Sequence, residues 1–102
     1  MQPEKIRVQP SKDVPATLLA EYLDRCLTTL PAVKEAMDRS DHGQTQVFGH
    51  RLKGTGAAYG VPLLTEIGSR IEGASSRGET EELRRQVAAL EAYLSRIEIV
   101  SQ

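Results

Sequence analysis

The sequence predicts an all-α protein, an antiparallel up-down-up-down four-helix bundle with a short extended N-terminal lead-in. Three observations carry that reading. Apolar residues recur at spacings of three and four through four successive segments, the period of an amphipathic helix. The aromatic content is 4%, three Tyr and one Phe, against many Leu and Ala, a balance that favours helices over strands. The chain of 102 residues fits one small domain, which excludes a multi-domain enzyme or a sheet wrapped by helices on both faces.

Residues 1–12 form the expected lead-in. They carry Pro3 and Pro10 and lack periodicity, as an extended segment does. Ile6 and Val8 alternate there and are expected to cover a bundle end. The bundle itself is expected over residues 13–100. Its first helix reads from Val14, Leu18, Leu19, Tyr22, Leu23, Cys26, Leu27, Leu30, Val33 and Met37, a single apolar stripe. Asp13 is the expected N-cap, and Pro15 suits a first turn, where a missing amide costs nothing. Pro31 falls inside the pattern and is expected to kink or split the helix.

A second helix is expected from Asp41, with Gln44 completing a capping-box pair. Val47, Phe48, Leu52 and Tyr59 supply its apolar contacts, and Gly60 stops it. Pro62 opens a third helix whose core face is Leu63 or Leu64, Ile67 and Ile71. Ser75-Ser76-Arg77-Gly78 reads as a turn. Thr80 is the expected cap of a fourth helix, with Glu81 and Glu82 placed for the helix dipole. Leu83, Val87, Leu90, Leu94 and Ile97 then repeat at four, three, four and three, a heptad-like seam. Short connections between such helices give antiparallel neighbours. The seam serves a bundle core better than a dimer, so a monomer is expected.

Composition narrows the function. A formal net charge of −1 argues against a nucleic-acid binder, which carries a basic excess. No stretch approaches the roughly 20 apolar residues of a membrane span, and the N-terminus lacks the apolar run of a signal peptide. One cysteine, Cys26, forms no internal disulfide and suits a reducing compartment. A cytoplasmic, membrane-free protein is the resulting expectation. Cys26 is expected in the core, His42 in a solvated loop, and Tyr22, Tyr59 and Tyr93 at core edges with wet hydroxyls. Cys26, His42 and His50 lack the spacing of a metal site.

The informative segment runs from Phe48 to Gly60. At about 100° per residue, Phe48, Leu52 and Tyr59 fall on the core side of the helix. His50 lies about 200° from Phe48 and points to solvent, with Gln46, Lys53, Gly54 and Ala57 as neighbours one or two turns away. Gly49, Gly54 and Gly56 stand in the same helix, although each interior glycine costs about 1 kcal/mol relative to Ala. A helix that needed only stability would not accumulate them. Gly54, beside the imidazole, clears space above the ring for a partner's approach. Lys53, on the same face, is placed so that it could meet a phosphoryl oxygen as a point charge.

The stretch His50-Arg51-Leu52-Lys53-Gly54 through Gly60, with Asp41 before it and Ile71-Glu72-Gly73-Ala74 closing the third helix, resembles the signature of histidine-containing phosphotransfer (HPt) domains. The resemblance covers about residues 13–98. It implies a four-helix bundle that relays phosphoryl groups between receiver domains of response regulators or hybrid histidine kinases in two-component systems. On this reading His50 is the phosphoacceptor, Lys53 steadies the phosphoryl group and Gly54 gives access. Gln46, Val47, Arg51 and Ala57 frame the receiver-binding patch. The chain has no cofactor or ATP site of its own, and the receiver supplies the Asp, the Mg²⁺ and a Lys. Members often carry Ala before the histidine, where Gly49 stands here, a change expected to loosen the helix.

The chemistry agrees. An ordinary imidazole, with a pKa of about 6.5, is largely neutral at pH 7 and offers one nitrogen lone pair. Phosphoryl transfer is served mostly by positioning and surrounding charge. Two other readings stand beside this one. In the dimerisation and phosphoacceptor segment of a sensor histidine kinase, an acidic residue commonly follows the histidine, whereas Arg51 follows here. A helical adaptor without phosphochemistry would have no use for an exposed His beside Lys53 and Gly54.

Overall fold

A computed structural model describes residues 5–10 and 12–100. Four helices carry the fold: α1 (Ala16–Asp38), α2 (His42–Ala58), α3 (Pro62–Ser76) and α4 (Thr80–Arg96). They are flanked by two three-residue strands, β1 (Ile6–Val8) and β2 (Ile97–Ile99). Residues 1–4 and 11 of the expected lead-in lie outside the described residues.

The helix ends follow from local chemistry. Asp41 caps α2 as expected, its side chain accepting from the Gln44 amide at 3.1 Å. The reciprocal arm of the capping box is not made, because the Asp41 amide donates to Ala36 O and the Gln44 side chain accepts from Arg39. The stop at Gly60 is a Schellman motif: Val61 N–H donates to Gly56 O and Gly60 N–H to Ala57 O, with Gly60 at φ 75°. Gly78, at φ 67°, ends α3 by the same pair of bonds, Glu79 to Ala74 and Gly78 to Ser75. Pro62 is the first residue of α3, as expected.

Several expected boundaries are corrected. Pro15, not Asp13, is the N-cap of α1, and no side chain caps that end. Pro31 does not split α1, which is unbroken from Ala16 to Asp38. Both Pro31 and Leu27, whose carbonyl loses its amide partner to the proline, lie on the exposed side, where water can serve that carbonyl. Glu79 stands at the N-cap of α4, so Thr80 is the first helical residue rather than the cap. Ser75 and Ser76 belong to α3 rather than to a turn.

The core is built from Leu19, Leu23, Leu30 and Val33 of α1, Leu52 of α2, Leu64, Ile67 and Ile71 of α3, and Leu83, Val87, Leu90 and Leu94 of α4. The α4 seam is therefore buried as read, except that Ile97 has left the helix for β2. Leu18 and Leu27 of the α1 stripe, and Leu63, are exposed. Tyr22 does not keep a wet hydroxyl: it bonds Thr55 Oγ1 at 2.7 Å, and its ring stacks on Tyr59 at 4.2 Å.

Two features go beyond the pattern. Ile6 and Val8 pack against the core as expected, and they also pair in parallel register with Ile97 and Ile99, so the start of the fold is tied to its end by a short ribbon. On α2, the face that packs on α3 is Thr45, Gly49, Leu52 and Gly56; Phe48 and Tyr59 are only partly buried, beside it.

That α2–α3 contact is set by glycines. A Cβ on Gly49 would stand 2.5 Å from the Glu72 amide nitrogen and 2.8 Å from Gly68 O. A Cβ on Gly68 would stand 2.5 Å from the Lys53 amide nitrogen. Gly49 therefore does not loosen α2; it lets the two backbones touch. Helix propensity alone makes Gly49→Ala stabilising by about 1 kcal/mol. Overpacking against an unyielding backbone costs about 1–3 kcal/mol and wins. Gly49→Ala is expected to melt below the wild type, and a thermal scan showing an equal or higher midpoint contradicts the contact.

Candidate functional site

The glycine contact decides what lies at the surface. By seating the Glu72 backbone against Gly49, it brings the Glu72 carboxylate over the next residue of α2, His50. Glu72 Oε2 lies 2.8 Å from His50 Nδ1, and Glu72 Oε1 lies 2.7 Å from Lys53 Nζ. One carboxylate thus joins both residues that the sequence singled out. The His50 side chain is 68% exposed and that of Glu72 is 24% exposed, so the pair opens directly on solvent.

Charge settles the protons. The Lys53 hydrogen bond, then that of His50, holds the Glu72 carboxyl below the usual carboxylate range, so Glu72 is an acceptor on both oxygens. Nδ1 of a neutral imidazole facing a carboxylate must be the protonated nitrogen. Nε2, across the ring, then holds the free lone pair. The arrangement yields a solvent-facing nitrogen nucleophile of fixed tautomer, with an ammonium close by.

Gly54 is exposed, and a Cβ built on it meets nothing within 4 Å. Unlike Gly49, Gly56 and Gly68, it serves no packing contact among the described residues. Gln46, Val47, Arg51 and Ala57 are also exposed, yet they divide. Val47, half exposed, and Arg51 line a groove of about 420 Å³ between α1 and α2. Its walls include Tyr22, Phe48, Leu52 and Tyr59, with Arg25 at the rim. Gln46 and Ala57 do not line this groove. His42 is the first residue of α2, half-buried and away from the Glu72 cluster. Cys26 is buried, as expected. Among the described residues no group of three His, Cys, Asp or Glu is placed to hold a metal ion.

Residues 17–99, most of the chain, match the family model of the Hpt domain. The chain belongs to the Hpt domain family. Neither the curated proteins nor the solved structures compared with it gave a match. Hpt domains carry phosphoryl groups on histidine in phosphorelays, where they interact with receiver domains, and they act as carriers rather than as enzymes in the usual sense. The four helices of this Hpt domain agree with that family's helical bundle. Among the described residues no helix is long and apolar enough to cross a membrane.

The sequence places Glu72 in the Ile71-Glu72-Gly73-Ala74 stretch of the resemblance but gives it no part in the site. It lies 22 positions from His50 in the chain, on another helix, and no local spacing links it to the histidine. The available signal was Gly49 and Gly68 on two helices, which marks a close crossing and hence which α3 residue reaches His50.

Proposed function

We propose that His50 is the phosphoacceptor of a phosphorelay carrier, taking a phosphoryl group from the aspartyl phosphate of one receiver and passing it to another. The observation that supports this best is the Glu72–His50 bond at 2.8 Å on an imidazole otherwise open to solvent. In the transfer, the Nε2 lone pair forms the N–P bond while the P–O bond to the receiver's aspartate breaks, and that carboxylate leaves with the electron pair. Lys53 steadies the phosphoryl oxygens as a point charge. Gly54 leaves room for the receiver's site to close around the ring.

The receiver docks over α2 and the groove that α2 shares with α1. Val47 and the Phe48 and Tyr59 edges give that surface an apolar centre, and Arg25 and Arg51 give it a basic rim. Gln46 and Ala57 bound it on the far side of His50. A receiver's phosphoacceptor pocket is acidic, so the rim complements it. The receiver brings the Mg²⁺, and the chain uses no cofactor, nucleotide or nucleic acid. A monomeric, cytoplasmic module fits this role, with residues 13–100 as the bundle and 1–12 as its lead-in. An up-down-up-down course of the helices is supported by sequence neighbours packing in turn, by α4 contacting α1, and by linkers of residues 39–41, 59–61 and 77–79, short for a crossover.

The test is a timed transfer assay from a phosphorylated receiver, with salt and Arg51 as variables. Association is expected to weaken as salt rises, because rim charges act on encounter. Arg51→Glu is expected to slow association about tenfold at low salt, an order-of-magnitude effect of steering. Binding indifferent to both salt and Arg51→Glu counts against this surface. Failure of every phosphorylated receiver to label the chain counts against the carrier reading and in favour of an adaptor.

A further inference from the structure

We propose that Glu72 keeps the Nδ1 proton on His50 after phosphorylation, so that the phosphohistidine stays in its cationic, readily transferred form. The inference rests on the phosphotransfer reading and concerns what happens once the N–P bond exists.

The atoms balance as follows. The form of the ring that attacks phosphorus is neutral, with its proton on Nδ1 and its lone pair on Nε2. Attack through Nε2 makes an N–P bond and releases the donor carboxylate. The product is a phosphoimidazolium that still carries the Nδ1 proton. In free solution near neutral pH that cation sheds its proton, and the neutral ring holds phosphorus more firmly. Phosphoryl release from the neutral ring would expel an imidazolide anion, a poor leaving group. Release from the cation expels a neutral imidazole with its proton already on Nδ1. A ring whose proton never leaves is therefore ready for transfer in either direction without waiting for reprotonation.

The geometry holds the proton in place. Nδ1 and Glu72 Oε2 are 2.8 Å apart, a length suited to a charge-assisted bond, which is about twice as strong as a neutral one. The carboxylate cannot easily take the proton for itself, because Lys53 already occupies its other oxygen at 2.7 Å. Lys53 acts in the opposite sense on the ring, since a nearby cation disfavours a second positive charge; its direct ion pair with Glu72 reduces that effect. The other charged side chains of α3 and its C-cap are engaged elsewhere, Arg70 by Glu66 and Arg77 by Glu79. On α1, Arg25 turns to the Tyr59 hydroxyl. Glu72 is thus the charge in direct contact with Nδ1. The Gly49 contact fixes the backbone from which it reaches.

The experiment uses the full chain phosphorylated with phosphoramidate, a small-molecule donor that needs no receiver. Phosphorus NMR as a function of pH reads the protonation of the phosphorylated ring. The midpoint is expected to lie about one pH unit lower in Glu72→Gln than in the wild type, the size of one exposed charge-assisted bond. Loss of phosphate at pH 8 should slow correspondingly in Glu72→Gln. Lys53→Met, which frees the carboxylate, is expected to move the midpoint upward. A merely structural role for Glu72 moves neither midpoint, and circular dichroism checks that both variants fold. Equal midpoints in wild type and Glu72→Gln, or a downward shift in Lys53→Met, overturn the inference while leaving His50 as acceptor. A wild-type chain that forms no phosphohistidine overturns the functional reading with it.

Discussion

His50→Gln is expected to leave no acid-labile phosphate on the chain, whether the donor is a phosphorylated receiver or phosphoramidate. Gln keeps a polar side chain of comparable reach but has no nitrogen lone pair able to attack phosphorus, so the loss should be complete rather than graded. Folding should be nearly untouched. His50 is exposed, and surface changes away from caps and cores usually stay within about ±0.5 kcal/mol. The bond to Glu72 is lost, but that carboxylate keeps Lys53 and water. His42→Gln is the matched control and should label as the wild type does. Labelling that survives in His50→Gln and disappears in His42→Gln reverses the assignment.

Gly54→Leu is expected to fold at least as well as the wild type and to transfer phosphoryl about 100-fold more slowly. The two halves of this prediction come from different physics. Within the free chain the substitution starts in open space, since a Cβ at Gly54 has no neighbour within 4 Å among the described residues. Leucine also favours a helix interior over glycine by about 0.5–1 kcal/mol. In the complex, that side chain stands one turn from the imidazole, in the volume a receiver's site must fill. Transfer needs the reacting atoms about 3–3.5 Å apart, and a misplacement of about 1 Å costs about 100-fold. Gly54→Ala should fall between the two. The measurement is thermal melting beside a timed transfer assay. Wild-type transfer in a stable Gly54→Leu protein removes access as the reason for that glycine. A lower melting point places Gly54 in a packing contact instead. The contrast with Gly49 is sharp, because there a single methyl group meets the α3 backbone.

Much of this was legible in the residues, and what was not has a common cause. Hydrophobic periodicity located four helices because Leu, Ile and Val carry both the pattern and the burial free energy. The turn chemistry of Asp41, Gly60 and Pro62 fixed three of their ends. The α2–α3 face was hidden because Gly49 and Gly56 bury backbone and Thr45 buries a hydroxyl bonded to Ser75, so their 4-3-4 spacing with Leu52 does not register as an apolar stripe. Phe48 and Tyr59 drew the reading toward the groove instead. The alternation of Ile6 and Val8 was visible, but three residues are too few to mark a strand, and the pairing that makes them one joins Ile6 to Ile97 across nearly the whole chain. In the site, His50, Lys53 and Gly54 share one helix, where a spacing of three or four is a distance in space. Glu72 enters through tertiary contact, which no local spacing encodes.

The central claim is that this chain holds phosphorus on one nitrogen of one histidine. The most direct measurement is to phosphorylate the wild-type chain, digest it at alkaline pH, where phosphohistidine survives, and locate the added phosphate by mass, with phosphorus NMR of the intact protein reporting the nitrogen. The account predicts a single phosphate on the peptide containing His50, bonded to Nε2. Phosphate on His42, or on Nδ1 of His50 in place of the Glu72 bond, would contradict it.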